Sequence, residues 1–123
     1  MVDARSYTDV LMFVADEPRT YQKGEVIFSE GDEAREMFIL RAGTIELRRG
    51  DQLLETLEAG AIIGEMALID PAPRSATAVA GEACQVVSLD EKNFKDLVRR
   101  VPGFALELAR TVVRRLRHEL ARG

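Results

Sequence analysis

Between Val26 and Leu89 the apolar positions come in short runs broken by turn chemistry. Glu25-Val26-Ile27-Phe28 follows a Lys23-Gly24 turn, and Ser29-Glu30-Gly31-Asp32-Glu33 turns the chain again before the apolar run Met37 to Leu40. After Ala42-Gly43, the segment Thr44 to Arg48 alternates strictly, which predicts a strand with Ile45 and Leu47 facing inward. Gly50-Asp51 is a hairpin signal, and Leu53 to Leu57 is the returning strand. Glu58-Ala59-Gly60 then leads into Ala61-Ile62-Ile63. Ser75 to Ala80 and Gln85 to Leu89 read as two more strands, parted by Gly81-Glu82. Short, closely spaced strands divided by glycine turns predict a small antiparallel barrel or jelly roll.

The ends of the chain have helical spacing instead. From Ser6 to about Asp16, Tyr7, Val10, Leu11 and Val14 fall at three- and four-residue steps until Pro18 stops them. Asp90 or Ser88 caps a helix from Glu91 to about Arg100, with Phe94, Leu97, Val98 and Val101 on one face. Pro102-Gly103 breaks it, and a last helix runs from about Phe104 to Ala121. That helix carries two apolar stripes: Phe104, Leu108 and Val112, and then Leu106, Ala109, Val113, Leu116 and Leu120. Either the helix has a wide core-facing side, or one stripe docks on the barrel and the other is covered by a second copy or a partner domain.

Length and composition narrow this further. A chain of 123 residues, 46% hydrophobic, is one domain by size and can bury a real core. We divide it into an N-terminal helical segment (1–20), a barrel (21–89) and C-terminal helices (90–123). The net charge of −4 gives no general pull toward nucleic acid. Val10 to Ala15 is too short to span a bilayer, so no membrane partner is expected. The single cysteine, Cys84, forms no internal disulfide, fits a cytoplasmic protein and reads as a small buried hydrophobe.

The chemistry concentrates in residues 60–80. Gly64 opens a short helical turn of Glu65, Met66, Ala67, Leu68 and Ile69, which a loop with Pro71 and Pro73 ends. A glycine there lets the backbone approach a ligand, and free N–H groups in a first helical turn suit an anion. Arg74 adds a charged fork matching a phosphate, and Ser75 adds a hydroxyl. Ala76, Ala78 and Ala80 leave room above the strand. Glu65 does not suit a phosphate, but it suits a sugar hydroxyl on the same ligand. Together these residues describe a pocket for a ribose carrying a phosphate. The bland alternative is a turn glycine beside a surface ion pair of Glu65 with Arg74, worth about 0–1 kcal/mol.

Gly64-Glu65-Met66-Ala67-Leu68 followed by Pro73-Arg74-Ser75-Ala76-Thr77 resembles the phosphate-binding cassette of cyclic nucleotide-binding domains, a family that includes catabolite activator proteins and the regulatory domains of channels and kinases. The resemblance extends from about Tyr21 to the last helix. It implies a mainly β fold: a jelly roll, or double-stranded β-helix, with an N-terminal helix, a short cassette helix and two C-terminal helices. It implies that Glu65 binds the ribose 2′-hydroxyl and that Arg74 pairs with the cyclic phosphate. Ile63, Gly64, Met66, Ala67, Ser75 and Ala76 would complete the shell. Ile63 stands where the family usually has phenylalanine. The family's last helix closes over the base, which makes Arg114 and Arg117 lid candidates; a solvated basic face is the plain alternative. His118 reads as a surface residue.

The expected ligand is cAMP, with cGMP open, and the expected role is a sensor module that signals through its C-terminal helix. Related transcription factors carry a helix-turn-helix domain next; here the chain stops at Gly123, so DNA binding is not expected. Catalysis is not expected either. One histidine and no metal-spaced Cys/His set leave neither a metal site nor a credible general base. The competing classes are a degenerate barrel used only for assembly and a sensor for another phosphorylated sugar.

Overall fold

The computed structural model describes residues 17–65, 68 and 72–122. The helix expected over 6–16 lies outside them, as do Met66, Ala67 and Ile69 of the cassette turn. Among the described residues eight strands precede two helices: β1 (Arg19–Tyr21), β2 (Val26–Phe28), β3 (Met37–Ala42), β4 (Ile45–Arg49), β5 (Gln52–Leu57), β6 (Ile62–Ile63), β7 (Thr77–Ala80), β8 (Cys84–Leu89), α1 (Glu91–Arg100) and α2 (Gly103–Arg122). They form two four-stranded sheets, ordered β1-β8-β3-β6 and β2-β7-β4-β5. Every strand pair is antiparallel.

The side-chain pattern explains the layering. Along β3, β6 and β8 successive apolar side chains go to opposite faces. Phe38, Leu40, Ile63, Cys84 and Val86 join Ile45, Leu57, Ala78 and Ala80 of the other sheet in a core between the sheets. Met37, Ile39, Ile62, Val87 and Leu89 face the other way and pack with Leu97, Phe104 and Leu108 of the helices. The first sheet is therefore buried on both faces, which is why Met37 to Leu40 is a continuous apolar run. The second sheet has one inner face, which is why Thr44 to Arg48 alternates.

The helices dock as amphipathic pieces. Asp90 caps α1, its side chain accepting from the Asn93 N–H at 2.8 Å. Ser88, the other expected cap, instead sits buried in β8 and accepts from Arg19 Nη2 at 3.2 Å. Phe94 and Phe104 meet edge to face at 6.1 Å and join the two helices. On α2, Phe104 and Leu108 are buried, whereas Leu106, Ala109, Val113 and Leu116 are exposed. The alternative of one wide core-facing side does not hold over these residues; the stripes face apart. Leu120, the last member of the outer stripe, lies among residues whose side chains are not described.

Two boundaries differ from expectation. β1 was not anticipated; it pairs Arg19, Thr20 and Tyr21 with Val86, Gln85 and Cys84. The strand expected from Ser75 starts at Thr77, because the main chain of Arg74 is engaged elsewhere.

Candidate functional site

Arg74 stands just before β7 and is fixed at both ends. Its N–H donates to the Asp32 carbonyl oxygen and its own carbonyl accepts from the Gly31 N–H, each at 2.8 Å. The loop that supplies these partners is held in turn. Asp32 closes it by accepting from the Ser29 N–H at 3.0 Å, and Thr77 Oγ1 accepts from the Glu30 N–H at 2.9 Å. The Arg74 side chain then runs inward until it is only 8% exposed. Nη2 donates to the Glu36 carbonyl oxygen at 2.7 Å, and Nη1 to the Gly64 carbonyl oxygen at 3.4 Å. The Phe28 ring lies 4.3 Å from the guanidinium carbon and the Phe38 ring 5.6 Å away.

Two consequences follow from this packing. Nε of Arg74 is buried without a hydrogen-bond partner among the described residues. A buried donor left unpaired costs about 1–3 kcal/mol, more when charged, unless an acceptor arrives. Burial also pushes the Arg74 pKa down from its ordinary value, against the pull of the Glu36, Asp32 and Glu65 carboxylates. The guanidinium nevertheless stays protonated. A desolvated cation with a spare donor is suited to an oxyanion.

Gly64 accounts for the close approach. Its φ is +73°, and a Cβ built on it would collide with Arg74 Nη1 and lie 3.3 Å from Cζ. Only glycine both takes this backbone conformation cheaply and leaves the guanidinium its space. Next to it Glu65 is 1% exposed, and its carbonyl accepts from the Leu68 N–H at 3.1 Å, an i to i+3 bond. With both residues buried, a surface ion pair of Glu65 with Arg74 does not describe them. Ile63 is buried in the core between the sheets. Ser75 is exposed and Ala76 half-buried, while the Ser75 carbonyl accepts from Arg49 Nε at 3.2 Å.

An open depression of about 560 Å³ adjoins the guanidinium, lined by Phe28, Phe38, Arg19, Asp32, Glu33, Arg35, Glu36, Ile27 and Arg74. Its charges are partly self-compensated. Arg19 pairs with Glu36 at 3.3 Å and Arg35 with Glu33 at 2.8 Å. The lid candidates Arg114 and Arg117 are exposed on α2, and neither lines this depression. Among the described residues no group of three or more His, Cys, Asp or Glu is placed to hold a metal ion. No described helix is long and apolar enough to cross a membrane.

The roles of Phe28 and Glu36 were not visible in the sequence. Phe28 contributes a ring face and Glu36 a main-chain carbonyl, and neither has a residue-type signature at a distance. The nearest signal was the turn chemistry of Ser29 to Glu33, whose backbone holds Arg74.

Known proteins resemble this chain in sequence and fold. The Cyclic AMP receptor protein of Thermus thermophilus is 36% identical over 104 residues, covering 80% of this chain and 48% of that protein. The crystal structure of Thermus thermophilus Catabolite Activator Protein superposes with a TM-score of 0.80 at 32% identity, over 94% of this chain and 56% of the other. A structure described within a cyclic-GMP-dependent signalling pathway that regulates bacterial phytopathogenesis also gives a TM-score of 0.80, at 27% identity, over 95% of this chain and 96% of that one. The chain thus spans about half the length of the first of these relatives. The model of the cyclic nucleotide-binding domain matches residues 18–101, a span that holds both sheets, Gly64, Glu65 and Arg74. By that match the chain belongs to the cyclic nucleotide-binding domain family.

Proposed function

We propose that the protein is a cyclic nucleotide sensor, with cAMP as its preferred ligand, and that it signals through α2. The observation that carries this is the buried Arg74 guanidinium, held by two carbonyl oxygens, with Nε left unpartnered among the described residues, beside a glycine that admits no side chain. A cyclic phosphate supplies the missing acceptor. Glu65 accepts from the ribose 2′-hydroxyl. Ile63, Gly64, Met66, Ala67, Ser75 and Ala76 wall the phosphate and ribose. The base points toward α2, where Arg114 or Arg117 caps it. The name of the Thermus thermophilus relative supports cAMP, and the phytopathogenesis structure keeps cGMP as the competitor.

The output surface is the outer stripe of α2. Ligand shifts the equilibrium only through its differential affinity for the form with α2 closed over the base. The stripe Leu106, Ala109, Val113, Leu116 and Leu120 then packs against a second copy or a partner domain. We take residues 1–123 as one unit acting in the cytoplasm, as a binding module and not an enzyme.

Calorimetric titration of cAMP and cGMP into nucleotide-free protein, beside Arg74→Ala, tests this. Saturable binding of cAMP that falls at least about tenfold in the variant is expected, as for loss of a charge-assisted bond. Heat from neither ligand in a folded, nucleotide-free sample would overturn it and favour another phosphorylated sugar or an assembly role.

A further inference from the structure

Taking the phosphate site proposed above as the ligand's seat, we propose that Phe28 is the positioning residue for the cationic anchor. Its ring holds the Arg74 guanidinium in place, in ligand-free protein, for the incoming phosphate.

Phe28 and Arg74 are referred to one frame. β2 ends at Phe28, which pairs with Ala78 of β7, the strand Arg74 leads into. The loop leaving β2 bonds the Arg74 main chain through Gly31 and Asp32. Phe28 in turn stacks on Phe38 of the opposite sheet, centroids 5.8 Å apart and planes 23° apart. The ring 4.3 Å from the guanidinium carbon is thus anchored to both sheets.

A ring face does for this cation what a polar partner cannot. Its quadrupole favours the charge without accepting a directional hydrogen bond, most strongly where water is excluded. The carbonyls of Glu36 and Gly64 take Nη2 and Nη1, and the ring leaves Nε unpartnered among the described residues. A carboxylate in the same place would satisfy the anchor and compete with the phosphate. Arginine also loses much rotamer freedom when fixed. Fixing it before the ligand arrives moves that cost out of the binding step. An aliphatic side chain fills similar volume but has no quadrupole. No ligand is needed to detect this partnership.

The test compares wild type with Phe28→Leu, Phe28→Met and Phe28→Tyr by two readouts. The first is the side-chain Nε–H resonance of Arg74 in ligand-free protein, assigned through its loss in Arg74→Lys. In the Leu and Met variants it should lose the larger, Phe28 part of its ring-current shift, leaving that of Phe38, and rotation about Nε–Cζ should quicken; Phe28→Tyr should restore both. The second is cAMP affinity, expected to fall about tenfold in Leu and Met and to stay within about twofold in Tyr. Having two aliphatic variants guards against one that misfolds. An Arg74 resonance indifferent to the ring overturns the proposal, as does equal weakening by Tyr and Leu, which would make Phe28 a wall and no more. If wild type binds no cyclic nucleotide yet the resonance responds, the ligand assignment fails and the positioning of Arg74 stands.

Discussion

Gly64 carries two separate constraints, a positive φ and a steric one against Arg74. Any Cβ there must strain the backbone and displace the guanidinium together. Gly64→Ala should therefore destabilise the fold by about 1–3 kcal/mol in chemical denaturation and also weaken the ligand, two effects from one methyl group. Cys84 has a different sensitivity. It is buried, and burial with the nearby Glu25 charge pushes its thiol pKa up. The folded form therefore keeps its proton when the unfolded form has lost it. Stability from this group is whole below the ordinary thiol range and is lost as pH rises through and above that range. Thiol alkylation at mildly alkaline pH should be far slower than in urea-unfolded protein; equal rates would contradict the burial. Gly64, Glu65 and Arg74 were recognisable as candidates in the sequence because their chemistry is unusual for their setting. Phe28 was not, because a phenylalanine ending a strand looks like core until the arginine is placed over it.

At the scale of elements, the first sheet is the load shared between two cores. β3, β6 and β8 each send alternate side chains to the helices and to the other sheet. Leu97 is where α1 enters that arrangement, fully buried against Met37, Ile39 and Leu89. Leu97→Ala should cost about 2–5 kcal/mol in denaturant unfolding, whereas Asp90→Ala, which removes only the cap, should cost about 1 kcal/mol. A reversed order would mean that α1 is held by its own helix termini and not by packing. Of the two-faced sheet, β3, β6 and β8 were readable from local pattern, as were α1 and α2, since continuous apolar runs and three-to-four spacing are local. β1 was not readable. It has three residues, two of them exposed, and its only reason to be a strand is distant β8. The late start of β7 was hidden for the same reason. Ser75 and Ala76 fit a strand locally, but Arg74 is bonded to Gly31 and Asp32.

For the whole molecule, the division of α2 into a packed and an exposed stripe separates stability from association. Leu116 and Val113 lie on the exposed side, so charging them should leave the fold within about 0.5 kcal/mol of wild type. Sedimentation of wild type as a dimer whose thermal midpoint rises with concentration, and of Leu116→Glu as a folded monomer whose midpoint does not, is the outcome expected if a second copy covers the stripe. A monomeric wild type would point to a partner domain instead. The sheet borders have their own consequence. Among the described residues, the strands at the four borders are β1, β6, β2 and β5, and only β5, with six residues, exceeds three. Short borders offer a stray chain few main-chain donors and acceptors to extend. The opening for runaway strand addition thus narrows to β5. There the exposed Leu53 invites a neighbour and the charge of Glu55 discourages one, with a register shift in the adjoining β4 ladder bending the ribbon away from flat stacking.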